Sequence, residues 1–308
     1  ALVPLHFWLP STYANAPGPV AALFAIMTKV GVYAIIRFLT LAFPQDTVIE
    51  SMISDLLLPA ALFTLIIGQI GILGTRHLGR LAAFAAIGSI GTLMIAVAQY
   101  TPQATAAAIY YMIHSTLAAG ALFLVVDLIG ARRGDLWLRL DRVMPGSGVI
   151  SVLYILTAIA VAGMPPLSGF IGKLLILDAS AQSPAATVIW TVILVTSLIA
   201  IYGLSRAGTL IFWKCYEMQG PGAPEAPAAA PRPGPIPPKV EPDEPIQDLR
   251  DASATWLAML ATGLLIAGIV ALSVFAQPAM RLAEDTARQL HNPVAYLEAV
   301  LTAQEGTK

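Results

Sequence analysis

Charge is scarce in this sequence. Lys, Arg, Asp and Glu make up only 11% of 308 residues, whereas a soluble globular domain carries about 25%. Apolar residues supply 57% and the mean hydropathy is +0.76, which argues against a soluble enzyme. Basic and acidic residues nearly cancel, 17 against 18, removing the electrostatic case for nucleic acid. The single cysteine, Cys215, excludes an intrachain disulfide framework and a Cys-rich metal site. The four histidines, His6, His77, His114 and His291, show no H-x-x-x-H or H-E-x-x-H spacing, so a zinc hydrolase has no support.

Long apolar runs are what the sequence does have. A membrane-spanning helix needs about 20 mostly apolar residues. Seven stretches qualify: 18–43, 52–74, 80–99, 104–130, 149–178, 187–213 and 254–277. The expected fold is an all-α polytopic membrane protein. Residues 1–10 read as the end of a preceding span, so the chain is expected to be the C-terminal part of a longer protein. The divisions are then 1–10, a transmembrane domain over 11–213, a proline-rich linker over 214–253, a last span over 254–277 and an amphipathic tail over 278–308. That tail is expected on the membrane surface or against a partner. The linker holds ten prolines between residues 221 and 245, a composition that favours extended chain.

Loop charge alternates along the chain. Arg76 and Arg80, then Arg132, Arg133, Arg139 and Arg142, then Lys214, Arg232, Lys239 and Arg250 fall in every second loop. Loops 44–51, 100–103 and 179–186 have no Lys or Arg. The positive-inside rule makes the basic side cytoplasmic.

Three ionisable residues stand in mid-span: Lys29, His114 and Lys173. A lysine at a helix centre costs roughly 2.5–3.5 kcal/mol on insertion scales, so its presence asks for a function. Lys29 lies eleven residues after residue 18, where the first span opens, too deep to reach water by snorkelling. His114 carries an imidazole that exchanges protons near neutrality. Alternatively, it is a neutral ring hydrogen-bonded between helices near Ser115 or Thr116. Lys173 follows Pro165-Pro166, a pair that removes two backbone donors and breaks the helix. A broken helix at membrane depth is tolerated where it is buried in protein or lines a cavity, and it is a recurring element of ion sites; alternatively Lys173, nearer the outer end of its span, snorkels to the interface. Like charges in a medium of low dielectric repel, so a proton arriving on one group favours its loss from the next. A row of Lys and His can therefore pass protons. Arg37, Asp127 and Arg206 lie near span ends and read as structural, Asp127 within reach of Arg132 or Arg133.

The stretches PLHFWLPSTYANAPGPVAALFAIMTKVGVYAIIR, IYYMIHSTLAAGALFLVVDLI and GMPPLSGFIGKLLIL resemble the antiporter-like subunits shared by Mrp-type multisubunit cation/proton antiporters and the proton-pumping arm of respiratory complex I. The likeness covers most of residues 4–213. It implies a fold of fourteen helices in two inverted five-helix repeats, with the chain corresponding to helices eight to fourteen. It also implies that Lys29 and Lys173 match the ionisable residues of the eighth and twelfth helices, and that His114 lies in the segment on the central polar axis. The family's seventh-helix lysine and fifth-helix glutamate would lie upstream of residue 1.

Lys173 in place of a glutamate, Ala118 four residues after His114, and a C-terminus soon after the last span resemble the D-type subunits of Mrp antiporters. The resemblance implies a proton-translocating transporter subunit, not an enzyme, in the bacterial inner membrane. Its partners would be the other subunits of a heteromeric complex and the bilayer, and it would move H+ against Na+ or K+. A proton pump of a complex I-like oxidoreductase or membrane-bound hydrogenase is the alternative. The chain carries no quinone, flavin or iron–sulfur motif, so no cofactor and no metal are assigned.

Overall fold

The protein is described by a computed structural model over residues 2–43, 48–140, 144, 146–214 and 252–292. Among the described residues there are helices and no strand: α1 (Leu9–Asn15), α2 (Gly18–Ala42), α3 (Val48–Gly74), α4 (Leu78–Ala98), α5 (Pro102–Arg133), α6 (Ser147–Ala162), α7 (Ser168–Ala179), α8 (Ala186–Gly208), a π-helical turn (Thr209–Trp213), α9 (Ala252–Val274) and α10 (Ala276–His291). Six are long and apolar enough to cross a membrane: α2, α3, α4, α5, α8 with its π turn, and α9. The seventh expected span, 149–178, is present as two pieces. α6 has 16 residues and α7 has 12, each short of the length a crossing needs. The chain is a multi-pass membrane protein. The proline-rich segment 221–245 and the tail beyond residue 292 lie outside the described residues.

The break between α6 and α7 follows from its sequence. Gly163 takes a left-handed φ of +74°, which a residue with a Cβ resists, and its N–H turns back to the carbonyls of Ile159 and Ala160. Pro165 and Pro166 lack the N–H groups that the Val161 and Ala162 carbonyls would accept in a continuing helix. α5, by contrast, runs unbroken for 32 residues. The Thr101 hydroxyl caps its start, accepting from the Ala104 N–H at 3.1 Å, and Pro102 occupies the first turn, where a missing donor is harmless.

α4 lies in the middle of the bundle. All its residues are buried except Arg80, Phe84 and Ser89, as expected of a helix that is apolar on every side. α3 packs closely on it because glycines leave room. A Cβ at Gly91 would stand 2.4 Å from the Leu65 nitrogen, and one at Gly68 2.5 Å from the Gly88 nitrogen; small residues let membrane helices approach in this way. α5 packs against α2, α4, α6, α7, α9 and α10.

The two largest apolar clusters among the described residues lie one above the other, with a small third of Ala118, Ala160, Leu167 and Ile269 beside them. The first joins Leu9, Leu81, Phe123, Tyr154 and Leu204 toward the basic loops. The second joins Val32, Leu93, Tyr100, Ile176 and Ile193 toward the opposite end. At that opposite end the amphipathic α10 lies on α5, burying Ala283 and Ala287 against Ala106, and His291 Nε2 is 2.8 Å from the Thr105 hydroxyl.

At the basic end, loop 75–77 is clipped to segment 136–138. The Leu78 N–H donates to the Leu136 carbonyl at 2.8 Å and the Leu138 N–H to the Arg76 carbonyl at 2.7 Å. The His77 ring lies edge-on to Trp137. Burial lowers the imidazole pKa from 6.5, the Arg80 charge lowers it further, and Asp135 partly offsets both. Well above pH 6.5 the ring is neutral folded or unfolded. As the pH falls below that value the unfolded loop takes up the proton first, so the clip loses stability. Amide exchange at Leu78 and Leu138, corrected for intrinsic rate, should therefore accelerate between about pH 7.5 and about pH 5.5. In His77→Gln that acceleration should be absent.

Candidate functional site

Polar residues occupy the level at which the two apolar clusters part. On α2, Ala25 belongs to the first cluster and Val32 to the second, and Lys29 lies between them. On α4 the boundary falls between Ile87 and Ile90, around Ser89. On α5 it falls between Tyr111 and Ala119, around His114. On α8, Ser197 lies between Ile193 and Ala200, and on α3, Gln69 lies between Leu65 and Ile72. The broken span adds Ser168 and Lys173. The three ionisable residues singled out in the sequence thus share one layer with hydroxyls and an amide that the sequence did not distinguish.

The lysines are held alike. Lys29 is 2% exposed, and its Nζ donates to Ser89 Oγ at 3.3 Å. Ser89 gives its own proton to the Ala86 carbonyl at 2.7 Å, leaving an oxygen lone pair for the ammonium. Lys173 donates to Ser197 Oγ at 2.9 Å, and Ser197 likewise back-bonds to Ile193 at 2.7 Å. The second acceptor for Lys173 is the Ala162 carbonyl at 2.7 Å. In an unbroken helix that oxygen would take the N–H of residue 166, which is proline. The lysine fills the place the helix break opens, and it does not reach for the membrane surface. Among the described residues no ion pair involves Lys29 or Lys173; the pairs described are Arg139–Asp135 and Arg288–Asp285. Among the described residues each lysine is thus held by neutral oxygens with no counter-ion, Lys29 buried and Lys173 partly buried.

His114 is 2% exposed. Its Nδ1 is 2.8 Å from Ser168 Oγ, and the Ala160 carbonyl at the end of α6 lies, with His114 Nε2, around the position a Gly169 Cβ would take. Ser115 and Thr116 do not hold the imidazole; each donates to the Met112 carbonyl of its own helix. A cavity of about 20 Å³ lies between Ser89 and His114, with Tyr111 and Ser115 as further polar lining and alanines of α4 and α5 around it. A volume of about 10–15 Å³ admits one water. One water's space therefore connects the partner of Lys29 to the imidazole.

The remaining polar candidates serve the frame. Asp127 Oδ1 accepts from the Gly18 N–H at the start of α2, at 3.3 Å. Arg206 donates to the Thr75 carbonyl at 3.0 Å, tying α8 to the end of α3. Arg37 is partly buried toward the other end of α2. Gln69 is 7% exposed, and among the described residues its Oε1 has no hydrogen-bond partner. Its position in a span was the available signal, since a buried amide needs partners.

Residues 1–200 match the family described as NADH:quinone oxidoreductase/Mrp antiporter, transmembrane. A Rhizobium meliloti (strain 1021) protein, named as the D-type subunit of a probable K(+)/H(+) antiporter, is 31% identical over 331 aligned positions, 97% of this chain and 56% of that protein. The D-type subunit of the Bacillus subtilis (strain 168) Na(+)/H(+) antiporter is 36% identical over 69% of this chain and 43% of its own length. A chain of the Mrp complex from Dietzia sp. DQ12-45-1b superposes with a TM-score of 0.76 at 25% identity, over 98% of this chain and 58% of that one. The chain spans about half the length of the curated relatives it matches.

Gly169 lets the start of α7 reach the imidazole. A Cβ there would stand 2.4 Å from the Ala160 carbonyl oxygen and 2.7 Å from His114 Nε2. Gly169→Ala should destabilise the protein by about 1–3 kcal/mol, read as a fall in thermal midpoint of the detergent-purified chain. Gly31→Ala, where a Cβ meets nothing within 4 Å, should leave the midpoint unchanged or raised.

Proposed function

This chain belongs to the NADH:quinone oxidoreductase/Mrp antiporter transmembrane family, and from that premise we propose that it is a proton-translocating subunit of a multisubunit monovalent cation/proton antiporter. The observation that carries this reading is the layer itself. Lys29, His114 and Lys173 lie in one layer: the Ser89 hydroxyl that holds Lys29 shares a water-sized cavity with His114, Ser168 holds the imidazole, and Ser197 and the Ala162 carbonyl hold Lys173, and no ion pair among the described residues fixes either lysine. Protons pass along the row by turns. A proton placed on one group raises the electrostatic cost of a proton on the next, and short hydrogen-bonded steps carry the charge sideways.

The names of the curated relatives favour Na+ or K+ as the exchanged ion over a redox-driven pump. The chain is then a secondary transporter subunit without a cofactor of its own, a multi-pass protein of a bacterial inner membrane with its basic loops in the cytoplasm. Its partners are the other antiporter subunits. Residues 214–253 form a cytoplasmic linker in this reading, and Lys29, His114 and Lys173 are the proton-transfer residues. Positioned proton donors and acceptors contribute about 10²–10⁴ in rate.

Everted vesicles carrying the complete complex provide the test. A pH gradient is set by respiration, further pumping is blocked, and Na+ or K+ is added. The gradient should collapse on cation addition. Lys29→Ala should slow that collapse by about a hundredfold or more while the amount of assembled complex stays the same. A well-assembled wild-type complex with no response to either cation would point to the redox-driven pump. Undiminished exchange by Lys29→Ala would return Lys29 to a structural role.

A further inference from the structure

Ser168 joins His114 to a third helix. Its side chain is fully buried, its Oγ is 2.8 Å from His114 Nδ1, and it also points at the Ile269 carbonyl of α9, 3.3 Å away. A hydroxyl has one proton to donate and lone pairs to accept with. The Ala160 carbonyl, which flanks the Gly169 Cβ position together with His114 Nε2, can only accept. Nδ1 then has two arrangements with Ser168. With a neutral imidazole protonated at Nε2, Nδ1 is bare and the Ser168 hydroxyl donates to it. With an imidazolium both ring nitrogens carry hydrogen. Nδ1–H then donates to Ser168 Oγ, and the hydroxyl proton turns to the Ile269 carbonyl.

We propose that Ser168 is the positioning residue of the proton row, a rotating hydroxyl that satisfies His114 in both its neutral and its protonated form. The proposal rests on the proton-translocating reading above. One proton arrives at Nδ1 and none leaves the serine, which keeps its own proton and only rotates. The charged groups facing the imidazole are Lys173 on α7 and Lys29 on α2; Tyr111 on α5 has its ring centroid 5.8 Å away. α6 and α9 offer carbonyls. Without the hydroxyl Nδ1 is left unmet in both forms, as a bare acceptor in the neutral ring and as a buried N–H in the imidazolium. The second acceptor belongs to a different helix from the first; it already takes the Ser273 hydroxyl at 2.9 Å, and the Ser168 proton joins it at the longer 3.3 Å.

Infrared difference spectroscopy between acid and alkaline pH tests this on the complete complex, with isoleucine carbonyls and histidine rings of this chain labelled. In the wild type one labelled isoleucine carbonyl should shift together with the imidazole bands, with the same midpoint. Ile269→Val, which keeps the carbonyl but removes its label, should delete that shift and leave the imidazole bands. Ser168→Ala should abolish the carbonyl shift and displace the imidazole midpoint, and Ser168→Thr should restore both. A wild-type spectrum with no isoleucine carbonyl moving alongside the imidazole overturns the proposal, even if Ser168→Ala fails to fold. So does a carbonyl shift that survives in Ser168→Ala. Coupled spectral changes in a complex that gives no cation-driven proton exchange would leave the rotor standing and remove the antiporter reading. Exchange with a silent carbonyl would do the reverse.

Discussion

Two lysines and a histidine at mid-depth in an apolar bundle must be satisfied from inside, and most of the architecture around them serves that need. Lipid offers no hydrogen bonds, and water has room for about one molecule beside the ring. The acceptors come from backbone and serine. Breaking one span between α6 and α7 releases the Ala162 carbonyl, which a continuous helix would have used and which takes Lys173 at 2.7 Å. The Ala160 carbonyl, which accepts from the Gly163 N–H, flanks the Gly169 Cβ position together with His114 Nε2. Gly169 removes the side chain that would have kept α7 away from that ring. The unbroken α5 and the buried α4 hold the opposite wall, and α3 closes on α4 through glycines.

All these acceptors are neutral. A carboxylate beside either lysine would form a pair strong enough in low dielectric to fix the proton, and breaking such a buried pair costs several kcal/mol. Serine and backbone oxygens orient the ammonium without that penalty on release. The charged residues that do occur elsewhere do fixed jobs. Arg206 ties α8 to Thr75, Asp127 caps α2 at Gly18, and the arginines of the basic end lie in loops.

The spans and the break were legible because each has a strong physical signal. Seven long apolar runs read as helices, and Pro165-Pro166 cannot continue one. Lys29, His114 and Lys173 were legible because ionisable groups are rare at that depth. Their partners were not. Ser89 and Ser197 donate to their own helix backbones as Thr191 and Thr196 do, so nothing in the local sequence separates a serine that receives a lysine from one that only back-bonds. Ser168 sits in PPLSGF, where the prolines and glycine suggest a turn and hide its role. Ser115 and Thr116 were nearer to His114 in sequence, yet helical geometry aims both at Met112. The amphipathic tail was legible as amphipathic, but its apolar face meets α5 of the same chain, a tertiary choice that periodicity does not encode.

In the proposed function the row passes protons because its lysines are held by neutral oxygens. Placing a carboxylate where Ser89 receives Lys29 tests it most directly. In everted vesicles carrying equal amounts of assembled complex, Ser89→Asp should leave assembly intact and slow cation-driven proton exchange by about a hundredfold, whereas Ser89→Thr, which keeps the hydroxyl, should retain exchange. Exchange at the wild-type rate in Ser89→Asp would contradict the account.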